Sequence, residues 1–243
     1  MKALILAAGF GTRLGALTET TPKPMLPICG QPMLSYTIRH LAHYGFDQIA
    51  INLHFQPDLI RSYFGDGSHY GVQITYSLEQ ELLGTAGALV PLKKFFENEP
   101  LFLVIYGDII TNQNLDNLVN FHHQNEAMAT LFVHKRKHSN SIIELDQSGR
   151  IHTFLERPKQ SVQNGYQDHW VNSGVQVLSP RIFDYLPSKL PADLPRDVYA
   201  PFVNQLALFG FPLDAYRCAV DSQERYNQVC HDMETKKVIF PWQ

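Results

Sequence analysis

The sequence predicts an α/β protein built on a mainly parallel sheet, and three observations lead there. Residues 3–8 form a continuous apolar run that ends at Gly9-Phe10-Gly11, the pattern of a buried parallel strand entering a tight loop. Strand-like and helix-like segments then alternate as far as Tyr106, which is how a sheet with helices on both faces reads. From Ala127 onward the pattern shifts to strands, predicting a smaller antiparallel or mixed β extension.

The elements follow in order. After the first strand, Pro32 marks a helix start, Leu34, Ile38 and Leu41 share one face, and Gly45 ends the helix. Residues 48–53 alternate as a second strand, a helix is expected over 57–64, and 72–76 form a third strand. Residues 84–96 read as one helix capped by Thr85, and 101–106 as a fully apolar fourth strand. Further strands are expected over 130–134, 141–145, 151–155 and 171–178. No repeat, linker or low-complexity tract divides the chain, so residues 1–243 are expected to form a single domain, with halves at 1–126 and 127–243.

The glycine loop is where chemistry enters. Gly9 and Gly11 allow backbone N–H groups to approach an anion closely. Arg13 can grip phosphate oxygens with its planar fork, and Lys23 is a compact charge able to follow a phosphoryl group. A dinucleotide fingerprint needs a third glycine where Leu14 stands, and a Walker A lysine would not lie so far from Gly11 or precede Pro24. The stretch Leu6-Ala7-Ala8-Gly9-Phe10-Gly11-Thr12-Arg13-Leu14, with Thr21-Pro22-Lys23-Pro24-Met25-Leu26-Pro27, resembles the signature of the sugar-1-phosphate nucleotidyltransferases. Among them it is most similar to mannose-1-phosphate or heptose-1-phosphate guanylyltransferase-like members. The resemblance implies a three-layer α/β/α nucleotide-diphospho-sugar transferase (Rossmann-like) fold, with a nucleotide-binding and a sugar-phosphate-binding half. It implies that Leu6, Ala8, Gly9, Gly11, Thr12 and Arg13 bind nucleotide and that Arg13, Lys23 and Asp108 are catalytic. Some family members carry a C-terminal left-handed β-helix, for which this sequence is expected to be too short.

Asp108 directly follows an apolar strand, where ligands of open parallel sheets sit and where packing has little use for an acid. Tyr106-Gly107-Asp108 resembles the family position whose aspartate binds the catalytic Mg²⁺. Asp221, closing the strand-like run Cys218-Ala219-Val220, is the second candidate ligand. Ala219 replaces the family's usual tryptophan there, and the other reading of Asp221 is an N-cap for the helix carrying Tyr226 and Val229.

Leu83-Gly84-Thr85-Ala86-Gly87 resembles the family's nucleoside-binding element, which implies that Gly84 and Thr85 contact nucleotide. Five residues before Gly84, Glu79 stands where thymidylyl- and uridylyltransferases tend to have glutamine. An ionised carboxylate only accepts, and guanine offers the adjacent N1–H and N2–H₂ donors, so Glu79 favours GTP; Glu81 is the neighbouring candidate. Phe154-Leu155-Glu156-Arg157-Pro158 resembles the sugar-phosphate element, with Arg157 replacing the usual lysine and Lys159 beside it, and Asn172 falls in an Asn-Ala-Gly-like turn. With Gly107, the sugar-phosphate set is then Gly107, Glu156, Arg157 and Asn172.

A net charge of −3 and a pI near 6.4 supply no global attraction for nucleic acid or an anionic membrane. Cys29, Cys218 and Cys230 are odd in number and widely spaced, suiting a reducing cytoplasm and roles as small core residues. No signal peptide or membrane span is expected. The eleven histidines form no ligand-like set, and His122, His123 and 134–138 read as solvated faces. The expected activity is transfer of a nucleotidyl group from GTP to a sugar 1-phosphate with Mg²⁺, releasing pyrophosphate. The expected partners are these two substrates and a second copy of the chain as a homodimer. UTP or dTTP as donor, a metal-dependent glycosyltransferase, and a non-catalytic regulatory homologue are the alternatives.

Overall fold

The computed structural model describes residues 1–137, 139, 141–156 and 168–243. Along the chain the elements are β1 (Lys2–Leu6), β2 (Pro27–Ile28), β3 (Gln31–Pro32), α1 (Met33–His43), β4 (Gln48–Leu53), α2 (Pro57–Phe64) and β5 (Gln73–Leu78). They continue as α3 (Gly84–Gly87), α4 (Lys93–Phe96), β6 (Phe102–Tyr106), β7 (Ile109–Thr111), α5 (Leu115–Gln124) and β8 (Ala129–Arg136). The last are β9 (Ser141–Leu145), β10 (Ile151–Glu156), β11 (His169–Leu178), α6 (Ala200–Phe202), β12 (Leu208–Pro212), β13 (Arg217–Ala219) and α7 (Gln223–Glu234). The chain is α/β, as its alternation predicts. It divides into two compact units, each drawing on both sides of residue 126.

Unit 1 holds Met1–Leu82, Val104–Asn114 and Asp214–Gln243. After the part of β6 from Val104 onward, its strands run in the order β1-β4-β5, and these three pair in parallel without a register break. Ala3, Leu4 and Ile5 are fully buried, and β4 is buried from Ile49 to Leu53, so the strands read as apolar runs because both faces are covered. The short strands β7 and β13 pair antiparallel, with Ile109 opposite Ala219. Beneath the signature loop lies one apolar cluster that includes Leu14, Leu26, Ile110, Val220, Val229 and Phe240. Burying a leucine or valine side chain in such a cluster contributes about 2 kcal/mol.

Unit 2 holds Leu83–Leu103 and Leu115–Leu213, with strand order β10-β9-β11-β8-β12. β8 pairs antiparallel with β11 and parallel with β12, giving the mixed extension expected from the second half of the sequence. The β8–β11 register shifts between Asn172 and Gln176, and Gly174 takes a φ of 79° within that irregularity.

Four local expectations are corrected. The single helix over 84–96 is instead α3, a 3-10 turn at Val90–Leu92 and α4, broken around Pro91. Thr85 is no cap: Leu83 holds that position, and the Thr85 hydroxyl accepts from the Leu194 N–H at 2.8 Å. Cys29 is exposed at a φ of 47° in the β2–β3 turn, so only Cys218 of the three cysteines is fully buried. His122 is buried with its Nδ1 3.0 Å from Thr130 Oγ1, because α5 turns this face toward β8. His134 is half-buried against Ser173; His138 lies outside the described residues.

Candidate active site

Four charged side chains of unit 1 form the candidate site, and each sits one to three residues from an apolar anchor in a common cluster. Leu14 anchors Arg13, Leu26 anchors Lys23, Ile110 anchors Asp108 and Val220 anchors Asp221. The β7–β13 pairing does the rest. Asp108 precedes β7 and Asp221 follows β13, and in an antiparallel pair these two ends meet; the Val220 N–H donates to the Asp108 carbonyl at 2.8 Å.

Each acid faces one of the signature cations. Lys23 Nζ lies 2.6 Å from Asp108 Oδ2, with the two side chains 10% and 26% exposed. Arg13 Nη1 lies 3.5 Å from Asp221 Oδ2, with exposures of 75% and 33%. A buried lysine needs a partner, and Asp108 supplies it. Arg217, on β13, is a further cation in the neighbourhood. Burial pulls its guanidinium below the ordinary value, and the negative charges of Asp108 and Asp221 oppose that shift.

The glycines separate into two kinds. Gly11 has a φ of 68°, and a Cβ there would come within 3.1 Å of Lys23 Cβ and 3.3 Å of Thr18 Cγ2, so its bareness lets the loop pack onto the lysine stem. Gly9 has no such internal reason: a Cβ there would meet no atom within 4 Å. Thr12 and Arg13 open a 3-10 segment, Thr12–Thr18, and both are exposed. Leu6 and Ala8 flank the strand end, and the Leu6 carbonyl accepts the Gly107 N–H at 2.8 Å. Gly107 is therefore committed to the sheet, where an added Cβ would lie 2.9 Å from that same carbonyl oxygen.

Glu79 follows β5 and is buried, 4% exposed, whereas Glu81 is exposed. Its Oε1 accepts from Asn52 Nδ2 at 2.7 Å. On the other side of Asp221, Ser222 takes the N-cap of α7 by accepting from the Arg225 N–H at 3.2 Å. Asp221 is thereby relieved of the capping role that its position allowed.

The remaining predicted residues belong to unit 2. Gly84 has a φ of 77°, and a Cβ there would sit 2.3 Å from the Ala192 carbonyl oxygen, so only glycine fits. Thr85 N–H donates to Asp193 Oδ1 at 3.2 Å, tying α3 to the 192–194 loop. Glu156 ends β10 and accepts a hydrogen bond from the Ser141 hydroxyl on β9. Asn172 Oδ1 accepts the Gly174 N–H at 2.8 Å within the β11 irregularity. Arg157, Pro158 and Lys159 lie outside the described residues.

Sequence reasoning missed Asn52 and Arg217. Asn52 had a signal, a polar residue near the carboxyl end of an otherwise apolar strand. Arg217 had none, since an arginine on a short strand is ordinary. Among the described residues no helix is long and apolar enough to cross a membrane.

Comparison with known proteins identifies the family. The Nucleotidyl transferase family model matches residues 2–206. A UTP–glucose-1-phosphate uridylyltransferase of Synechocystis is 35% identical over 220 residues, covering 84% of this chain and 55% of the relative. Mannose-1-phosphate guanyltransferase 2 of Candida glabrata is 32% identical over 226 residues, covering 89% of this chain and 60% of the relative. The chain thus spans little more than half the length of these curated relatives. A crystal structure from Bacillus anthracis, described as a glucose-1-phosphate thymidylyltransferase, superposes with a TM-score of 0.84 at 20% identity, covering 99% of this chain and 97% of that one. With its signature loop, its paired acids and a family match over most of its length, the chain belongs to the nucleotidyl transferase family.

Proposed function

We propose that this chain transfers a nucleotidyl group from a nucleoside triphosphate, preferentially GTP, to a sugar 1-phosphate, giving a nucleotide diphosphate sugar and pyrophosphate. The observation that carries the reading is the charge cluster of unit 1, in which Lys23 and Arg13 each face an acid at the meeting ends of β7 and β13. In the reaction an oxygen of the sugar phosphate forms a bond to the α-phosphorus, and the bond from that phosphorus to the bridging oxygen of the β-phosphate breaks. The attacking group is already anionic, so no side-chain nucleophile or general base is needed. Catalysis then rests on alignment and on charge held in place.

Lys23, buried and short-tethered by the Gly11 contact, suits the α-phosphate and the incoming phosphate. Arg13, largely exposed, suits the β- and γ-phosphates, and the open space at Gly9 suits their close approach. Gly84 and Thr85 are assigned to the nucleoside, and Glu156 and Asn172 to sugar hydroxyls. Asn172 would offer its amide nitrogen, since its oxygen holds the Gly174 N–H.

The donor set of Asp108 and Asp221 fits Mg²⁺. Two hard carboxylates from meeting strand ends suit an ion that takes one or two acids and completes its shell with water and phosphate oxygens. No group of three or more histidine, cysteine, aspartate or glutamate side chains suited to a metal exists among the described residues, which disfavours a caged metal such as structural zinc. When bound, Mg²⁺ supplies charge neutralisation to the reacting phosphates. The three cysteines are free thiols, consistent with the proposed cytoplasmic setting.

Glu79 supports GTP, being buried and held as an acceptor. The curated relatives include both uridylyl- and guanylyltransferases, so the base is a matter for experiment. The test is pyrophosphate release from four nucleoside triphosphates against a panel of sugar 1-phosphates. GTP is expected to give the highest kcat/KM. Turnover with UTP or dTTP alone would overturn the guanine reading and leave the reaction class standing, and pyrophosphate release with no pair would overturn the reaction class.

A further inference from the structure

Asn52 uses both ends of its amide, in opposite directions. Its Oδ1 accepts the Ala7 N–H at 2.7 Å, at the point where β1 runs into the glycine loop, and its Nδ2 donates to Glu79 Oε1 at 2.7 Å. The partners dictate the orientation: only the oxygen can accept from an N–H, and only the nitrogen can donate to a carboxylate. Asn52 is 4% exposed, as is Glu79. The main chain of Glu79 is held as well. Its N–H donates to the Leu53 carbonyl at 2.8 Å, and its carbonyl accepts from His54 Nδ1 at 2.9 Å. The His54 ring in turn meets Phe10 of the glycine loop edge-on, with centroids 5.0 Å apart. Two independent links therefore run from the phosphate loop to Glu79, one through Asn52 and one through His54.

We propose that Asn52 is a positioning residue for base selection, fixing the Glu79 carboxylate in the plane and register needed to bridge two adjacent purine donors and joining that register to the phosphate loop. The proposal rests on the reading of Glu79 as the group that recognises the base. A glutamate with three free torsions loses substantial rotamer entropy when it is ordered by a ligand, and a carboxylate already held by a buried amide has lost it on folding. Discrimination between closely related bases depends on that fixed geometry, because a misaligned acceptor serves a one-donor edge as well as a two-donor edge.

Equilibrium binding of GTP, ITP and UTP to the whole chain with Mg²⁺ tests this without knowledge of the sugar. ITP keeps the N1–H of guanine and lacks its 2-amino group, so the GTP-to-ITP affinity ratio reads the second donor. The wild-type ratio is expected to be about tenfold or more, and Glu79→Gln should collapse it to about one. Asn52→Ala removes both links of the amide. Asn52→Asp keeps an acceptor for the Ala7 N–H and reverses only the link to Glu79, so it reports even where the alanine variant is too unstable to measure. Both variants are expected to lower the GTP-to-ITP ratio at least about fivefold while ITP affinity stays within about twofold, and adding either to Glu79→Gln should lower it no further. A merely structural role would weaken all three nucleotides equally. Collapse in Glu79→Gln with a wild-type ratio in Asn52→Asp would overturn the positioning role alone. A wild-type ratio near one, or an unchanged ratio in Glu79→Gln, would overturn the reading of Glu79 and the proposal with it.

Discussion

The two cation–acid pairs of the candidate site carry the same charges a short distance apart along the same loop, yet they differ in depth and length. Lys23 and Asp108 meet at 2.6 Å with the ammonium almost withdrawn from water, whereas Arg13 and Asp221 stand 3.5 Å apart with three quarters of the arginine side chain exposed. Depth sets what each pair can do. In the buried pair the charges interact through a low effective dielectric, so the lysine is held in one place and its removal leaves an electrostatic hole. In the exposed pair, water and salt screen the attraction, and the long arginine gives up little by swinging to another anion. Under the proposed reaction, the contrast would suit the fixed charge to the reacting phosphorus and the mobile charge to capture of the phosphate tail.

The largest expected effect falls on the buried pair. Lys23→Ala should lower the turnover of pyrophosphate release by about 10³-fold, the scale of losing one placed charge in a water-poor site, with the chain still folded by circular dichroism. Turnover within tenfold of wild type would remove Lys23 from the chemistry. Asp108→Ala should destabilise the fold by about 3 kcal/mol in urea titration, because it strands a buried ammonium, while Asp221→Ala should cost less than about 1 kcal/mol. Equal losses from the two would mean that depth does not separate the pairs.

Acid should act on two buried histidines. Burial lowers both His40 and His122 to about 4, from 6.5. Between those values the unfolded chain binds protons that the folded chain refuses. Stability is therefore full above pH 6.5 and falls as pH drops toward 4, by about 2 kcal/mol per histidine at pH 5. Denaturant titration at pH 7 and pH 5 measures the loss, and His122→Gln should remove part of it. The smallest effect belongs to the exposed pair. Arg13→Ala should raise the KM for the triphosphate about tenfold with little change in kcat, and raising salt from 0.05 to about 0.5 M should mimic it in the wild type. A fall in kcat equal to that of Lys23→Ala would erase the division of labour.

Much of unit 1 was legible from local pattern. β1, β4 and β5 are apolar runs bounded by breakers, and the glycine loop with Lys23 is a short, ordered signature. Asp108 was legible because an acid after a buried strand has little to do in packing. What escaped depends on segments far apart in the chain. The Lys23–Asp108 contact joins residues 85 positions apart. Ser222 displaced Asp221 as the helix cap, a choice between adjacent residues that backbone direction decided, with Ser222 at a φ of −150° and a ψ of 163°. His122 looked solvated beside His123, and only its packing against Thr130 showed which of the two turned inward. The close approach of β1 to Gly107 is a further such contact, and local pattern did not show it.

By itself, the sequence determined the alternation of strands and helices as far as Tyr106, the glycine loop and the charged residues beside it, because each is written in residues adjacent along the chain. Tertiary structure alone decided which acid meets which cation, which of these pairs is buried, and that Asn52 holds Glu79. The physical reason is that these are contacts between separate segments, selected when Leu14, Leu26, Ile110 and Val220 close into one apolar cluster and carry their charged neighbours with them.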